Sequence, residues 1–529
     1  MSMRAFNRFL SAFGFFMLIL VHAPWAQTTP MDKMGPIPWF AIESNGVFEA
    51  GAYGEEITKR GLSPNLRFSF GLDAKYFGVS GTLKADTNNK YGPELADIPG
   101  SDFLGLSAIM EEGGIYSNLG NLSLRAGRFR HYDAVDSPYS LFVNSTGIPA
   151  NIIEIEWDDG FFSYGSRWVE LNHDSSQDTD AWGLSTYAGT QSGIDKLGEG
   201  LPGFPERGAN IKKYAFRLGN MRFGIQDAAV YTGKNFDPEY LLNPLPQYFI
   251  QYIKATGGRP WATGRDENNL LGFFWTLEQP GEYSLLAQVL IDDFNLHFIL
   301  PDSTWNPWQA AFNLGGRLHT KSGAFGLFVA GATKYTFEPS EMYDTAVKVW
   351  SEQVACSYGY SYYPETRFDK DWKTAGFQPG AIAIEDNIIG YKYGQNNVAI
   401  QTDWRGKMAG FDAVAEAEFR IAGANSPANP WHDLTNDPQD GTHWLDDPVL
   451  ETRIMLGTSM ARNFGDWSFS LAVRGGVAFN AMELRKPTVA RTTSVAPADS
   501  DIWIFEPVSG NTKYLLSLSI GARYRWNLR

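Results

Sequence analysis

"YLLSLSIGARYRWNLR", residues 514–529, closes the chain with an unbroken alternation. Tyr514, Leu516, Leu518, Ile520, Ala522, Tyr524, Trp526 and Leu528 fall on one face, and Ser517, Ser519, Gly521, Arg523 and Arg525 on the other. A period of two over this length is a β-strand with one apolar and one polar side. The same pattern recurs upstream. Phe68, Phe70 and Leu72 alternate with Arg67, Ser69 and Asp73, Phe419 and Ile421 with Glu418 and Arg420, and Trp467, Phe469, Leu471 and Val473 with Ser468, Ser470 and Arg474. A soluble sandwich would hide the apolar faces between two sheets. A transmembrane barrel turns them to lipid and keeps the polar faces for its lumen. Charged lumen faces, strands of roughly ten residues and aromatics near strand ends favour the barrel.

Composition points the same way. The chain has 529 residues, 15% of them aromatic and only 19% charged, with a formal net charge of -15. That acidity argues against nucleic acid as a partner, since such binders present a basic surface. The opening "MSMRAFNRFLSAFGFFMLILVHAPWAQ" places Arg4 and Arg8 before an apolar stretch from Phe9 to Val21 and then small residues. This is the pattern of a secretory signal peptide, too short in its apolar part for a spanning helix. The expected organisation is a cleaved signal peptide over 1–26, a short lead-in over 27–66 and the barrel over 67–529. Cys356 is the single cysteine, so neither an internal disulfide nor a cysteine-based metal site is expected. The fold class is therefore all-β: a large single-chain antiparallel transmembrane β-barrel of about 16–18 strands with long extracellular loops, in the outer membrane of a diderm bacterium. Stretches such as 84–102, 172–182, 196–213, 425–448 and 485–501, rich in Gly, Pro, Asn and Asp, read as the loops. The stretch 239–255 reads as a short helix within a loop or in the lumen.

Two constellations are candidate sites. In "YSLLAQVLIDD", residues 283–293, an apolar run ends at Asp292 and Asp293. The preceding run, "ENNLLGFFWTLEQ", and the turn at Pro280-Gly281 make this a hairpin. Matching apolar faces sets Leu271 against Val289, Phe273 against Ala287 and Trp275 against Leu285. This register lays Asp292 opposite Asn268 and Asp293 opposite Glu267, gathering them with Asn269 at the outer rim. Such a rim is either the point where a strand leaves the bilayer or a site for sugar or cation. Adjacent aspartates on one strand point to opposite faces, which argues against a glycosidase pair. No Asp-x-Asp-x-Asp-Gly loop is present, so no metal is assigned.

The second constellation is "LRAGRFRHYDAVDSPYSLFVNSTGIPANI", residues 124–152. It collects Arg128, Arg130, His131, Tyr132, Asp133, Tyr139 and Asn144. Basic donors beside aromatics suit an acidic polysaccharide or an anion passing through a lumen. The alternative is an arginine ladder that pairs with wall carboxylates and stiffens the barrel. Gly-x-Ser-x-Gly and His-Glu-x-x-His are both missing, so neither a catalytic role nor a cofactor is assigned.

Three pieces together resemble a known family: "IPWFAIESNGVFEAG" from residue 37, the stretch 124–152, and "NNLLGFFW" followed by "YSLLAQVLIDD". In order and spacing across residues 37–330 they resemble the Wzi-type outer-membrane capsule-assembly proteins. The resemblance implies a large barrel that binds capsular polysaccharide at the cell surface without chemistry. The chain departs from that family in two places. Residues 27–66 are too short and too rich in Gly and Pro for a helical bundle, and Tyr132-Asp133-Ala134 stands where the family often has Trp-Gly-Pro. The expected function is thus polysaccharide binding in capsule or exopolymer assembly, by a non-enzymatic monomer whose partners are surface glycan and outer-membrane lipid. Arg128, Arg130, Tyr132, Asp133, Tyr139, Asn144, Glu267, Asn268, Asn269, Asp292 and Asp293 are the expected ligand-binding residues, with Trp431 and Trp444 available to stack on sugar. A porin-like passive channel for small solutes is the alternative.

Overall fold

The alternating segments pair edge to edge until the sheet closes on itself. The computed structural model describes residues 37–53, 60–86, 101–103, 106–147, 149–172, 207–232, 234–256, 267–293, 308–337, 343–344, 349–350, 359–362, 385, 388–425, 442–485 and 504–528. The expected signal peptide over 1–26, Trp431 and the segment after Asp293 lie outside these residues. Among the described residues eighteen wall strands follow in chain order: Ile37–Tyr53, Arg60–Asp73, Phe77–Asp86, Leu106–Leu119, Leu122–Arg130, Pro149–Asp158, Phe162–Asn172, Arg207–Leu218, Met221–Thr232, Glu267–Gln279, Tyr283–Asp293, Gln309–Thr320, Gly323–Ala332, Asn397–Met408, Phe411–Ala422, Glu451–Phe464, Trp467–Phe479 and Thr512–Leu528. Each is antiparallel to its chain neighbours, and the last strand pairs with the first, Phe40 opposite Leu528 and Tyr53 opposite Leu515. The first wall strand starts at Ile37, inside the stretch set apart by sequence as a lead-in.

Both strand faces are legible in the accessibility. Leu516, Ile520, Leu471, Phe469 and Leu327 are exposed on the outer wall. This apolar belt, with Tyr76, Phe77, Trp157, Phe161 and Trp467 exposed near one end, is the surface a barrel presents to lipid and its interface. The chain is an outer-membrane β-barrel. Eight turns of two or three residues lie at one end, among them 219–220, 280–282 and 409–410. Long connections lie at the other. Short turns are periplasmic and long loops extracellular in such barrels.

The 283–293 hairpin is correct in its faces and wrong by two residues in its register. Leu271 pairs with Ile291, Phe273 with Val289, Trp275 with Ala287 and Leu277 with Leu285. The cause is the three-residue turn Pro280–Glu282, in which Gly281 takes a φ of 75°. A left-handed residue suits a three-residue hairpin loop and suits glycine. The regular pairing therefore ends at Leu271 and Ile291, so Asp292 and Asp293 do not face Asn268 and Glu267. A bulge between Ile291 and Asp293 on the next edge then ends the strand. Asp292 follows Gln288 and Leu290 on the lumen face, whereas Glu267 follows Leu271 and Phe273 on the outer face. The rim carboxylates expected to act together stand on opposite sides of the wall.

The lumen also differs from the polar lining that alternation alone suggests. Towards the long-loop end its wall carries Val169, Ile211, Val230, Leu290 and Ala330, all buried. These pack against three inward segments from two connections: Tyr139, Leu141, Phe142 and Val143 from the one after Arg130, and both Tyr360 with Tyr362 and Ile389 with Tyr391 and Tyr393 from the one after Ala332. The main apolar core is therefore inside the barrel.

Candidate functional site

The occluding core starts where the strand Leu122–Arg130 ends and the chain turns inward. His131 and Tyr139 are wholly buried, whereas Tyr132 is 61% exposed and its ring lies against Gly147. Asp133 is the anchor of the turn. Its Oδ2 accepts from the amides of Phe142 at 2.7 Å and Val143 at 3.0 Å, and its Oδ1 from the Gln288 side-chain amide at 2.9 Å. Gln288 in turn donates to Gln226 at 2.8 Å and accepts from the Leu141 amide at 3.0 Å. One carboxylate and one wall glutamine thus satisfy the backbone donors of an irregular buried segment, as burial demands.

Tyr139 reaches across the lumen and donates to Glu418 at 2.6 Å. Tyr393 donates to the same carboxylate at 2.7 Å, and the Lys392 ammonium sits 4.9 Å over the Tyr139 ring. Asn144 binds the third inward segment: its Nδ2 donates to the carbonyls of Glu385 at 2.7 Å and Ile388 at 3.0 Å, and its backbone amide to the carbonyl of Ile389 at 2.6 Å. Asp292 secures another piece by accepting from the Phe337 amide at 2.6 Å. Phe337 and Tyr335 hold left-handed φ values of 74° and 71°, each a strain of about 1–2 kcal/mol, which such anchors must hold in place.

The basic residues are largely paired. Arg130 contacts Glu112 at 2.8 Å and Glu111 at 3.1 Å, and donates to the Gly147 carbonyl at 2.8 Å. Glu111 also takes Arg67 at 2.7 Å. Arg125 and Arg167 converge on Glu154. Arg128 is half-buried, and its charge reaches the buried Tyr362 hydroxyl. The arrangement is that of an arginine ladder along the wall, with Arg130 reaching up to the inward turn. His131 Nε2 is 2.7 Å from the Tyr362 hydroxyl and its Nδ1 is 3.4 Å from Arg167. Burial, then the charge of Arg167, drives its pKa well below the imidazole's ordinary value. It is a neutral packing histidine.

Glu267 and Asn269 serve a different element. On the outer face Glu267 accepts from Tyr240, and Asn269 donates to Gln251. Both partners belong to the connection after the strand Met221–Thr232, which forms the helices Pro238–Leu242 and Gln247–Thr256. The helical content read from sequence is there, but outside the wall. Asn268 lies beside them, half-buried, on the strand's lumen-side parity. The side chain of Asp293 is outside the described residues, and its backbone pairs with Gln309. Trp444 is 38% exposed, packs edge-on to the outward Phe312 at 6.0 Å and donates to the Asn397 carbonyl at 3.0 Å. The sequence singles out Asp133, Tyr139, Asn144 and Asp292 as ligand-binding residues; the structure places them as anchors of the inward segments, and their partners Gln288, Tyr360, Tyr391, Tyr393 and Glu418 carry no signal in the sequence alone. What these partners share is a polar group or tyrosine in the lumen-facing or inward segments, which acquires meaning only when distant connections meet.

No family model matches the chain, and no curated protein matches it. Solved structures of similar shape are outer-membrane barrels. Wzi of Escherichia coli, an outer membrane protein involved in group 1 capsule assembly and a carbohydrate-binding β-barrel, is 10% identical, covers 91% of this chain and 83% of its own, and gives a TM-score of 0.48. OprD of Pseudomonas aeruginosa is 8% identical, covers 94% of this chain and 97% of its own, and gives 0.43. Each is a likeness of barrel architecture.

Proposed function

We propose that this outer-membrane barrel binds surface polysaccharide and takes part in capsule or exopolymer assembly, without catalysis. The observation that carries the reading is the core inside the lumen: Leu141, Phe142, Tyr360 and Ile389 are each wholly buried where a channel would need water. The sequence segments that resemble the Wzi-type family add support, and two of them, 124–152 and the 267–293 hairpin, supply the anchors of that core. Direct contact with glycan falls to the exposed Tyr132, whose ring offers a face for stacking, with Arg128 and Arg130 contributing positive charge close by in the sequence. Asp133, Tyr139, Asn144 and Asp292 hold the surface on which those groups stand. Glu267, Asn268 and Asn269 belong to the neighbouring rim.

A glycan array with purified protein is the test. Retention of acidic polysaccharide that weakens on Tyr132→Ala supports the reading, and no retention of any surface glycan overturns it. One observation keeps a passive channel in view. Arg405 and Arg474 leave about half of their side chains in solvent on the lumen wall, 54% and 47%. Planar-bilayer recording separates the two: a large steady current from the unmodified protein would replace the lectin reading with the channel.

A further inference from the structure

The connection 234–256 has its polarity inverted. In the helix Gln247–Thr256, Gln247, Ile250 and Lys254 are buried against the wall, while Tyr248, Phe249 and Tyr252 are 60%, 54% and 57% exposed. Leu242 and Leu245, just before it, are exposed as well. A helix in water turns its polar side outward. This one turns it inward.

The wall beneath explains the inversion. Lys212 and Asp227 are cross-strand neighbours on the outer face, with Tyr214 and Ile225 the next outward pair below them. The pairing continues from Asp227 to Leu271 and from Leu271 to Ile291, and from Ile225 to Phe273 and on to Val289. The strands alongside thus carry lipid-facing apolar residues at the levels where these two carry a lysine and an aspartate. Ionised groups facing hydrocarbon are costly. The connection covers them. Lys212 donates to the carbonyls of Asn243 and Leu245 at 2.7 Å each, Asp227 accepts from the Gln247 amide, and Tyr214 donates to the Pro244 carbonyl at 2.8 Å. Tyr231 and Tyr240 stack above at 5.2 Å.

Height decides what surrounds it. Ile225 stands five residues above the turn at 219–220. At about 3.3 Å per residue and a tilt near 40° this is roughly 13 Å up a belt about 25 Å tall. The connection therefore descends to mid-belt, and its exposed aromatics continue the outer surface of Phe216, Ile225 and Phe273.

We propose that residues 234–256 form a strap embedded in the outer leaflet, with Leu242, Leu245, Tyr248, Phe249 and Tyr252 in contact with lipid acyl chains and the polar side sealing Lys212 and Asp227 against the wall. The strap is an external counterpart to the internal core and is independent of the glycan reading.

The test uses the full chain in liposomes. Single cysteines at Leu242, Phe249 and Tyr252, in a Cys356→Ser background, carry an environment-sensitive fluorophore. Phe273→Cys is the belt reference and Tyr132→Cys the aqueous one. The strap sites should be quenched by acyl-chain nitroxide lipid as strongly as the Phe273 site, and iodide should lose the quenching it shows at Tyr132. Iodide quenching equal to that at Tyr132, or protection from both quenchers through cover by protein, overturns the proposal. A carbene precursor carried on an acyl chain, applied to the unsubstituted chain, gives a second reading free of folding defects: label on peptides within 239–254 is expected, and label confined to the wall strands overturns it.

Discussion

His131 and Asp133 show how single residues hold the inward segment 131–147 in place. His131 is buried neutral, with its pKa driven down first by burial and then by Arg167. The unfolded histidine takes its proton near pH 6.5 and the folded one only well below. Stability is therefore full above about pH 6.5 and is lost as pH falls from there towards the folded value. Protease access to the segment 131–147 in liposomes should rise on acidification through that window, and His131→Gln should flatten the change. Asp133 makes a sharper case. Asp133→Leu strips the Phe142 amide, the Val143 amide and the Gln288 side chain of an acceptor, at about 1–3 kcal/mol for each orphaned donor. The expected result is an intact barrel with a loosened core, read as new current steps in planar bilayers. An unchanged current trace would mean that the packing of Leu141 and Phe142 holds the core without the carboxylate.

At the scale of elements, the hairpin 267–293 carries the clearest lesson. Its faces follow from the alternation of Leu271, Phe273 and Trp275 against Ile291, Val289 and Ala287, because a shift by two residues leaves every side chain on its own side. The shift itself came from the turn. Gly281→Val should strain the loop by about 1–2 kcal/mol, since φ 75° crowds a branched Cβ. A lower temperature for the heat-induced gel mobility shift is the measurement. The scattered rim follows from strand parity, which the two-residue shift leaves unchanged. Asp292 turned inward to hold Phe337, and Glu267 turned outward to hold Tyr240, so residues adjacent in the expected site serve elements on opposite sides of the wall.

At the scale of the whole molecule the barrel is asymmetric: apolar outside, a ladder of ion pairs within, and an apolar core filling the lumen towards the long loops. Leu471→Arg, on the lipid face in the middle of its strand, should cost about 2–4 kcal/mol and impair membrane assembly. Arginine at the lumen-side neighbour Ala472 should be tolerated far better. Comparing the two variants by heat-modifiable gel mobility tests the assignment of faces. The sequence by itself determined the barrel class, the faces of the strands it singled out, the approximate strand number and the outer-membrane setting, because a two-residue period records the medium on each side of a wall; it ran the 196–213 loop into the strand Arg207–Leu218. It also marked Asp133, Tyr139 and Asn144 as exceptional, but not why. Only the tertiary structure decided that these residues meet Gln288, Glu418 and Ile388 inside the lumen, that the helical connection lies outside, and that Lys212 and Asp227 are covered. The physical reason is that alternation reports a residue's side of the sheet, whereas the partner of an inward or outward loop is set by barrel closure, which brings together groups as distant as Tyr139 and Glu418, 279 positions apart in the chain.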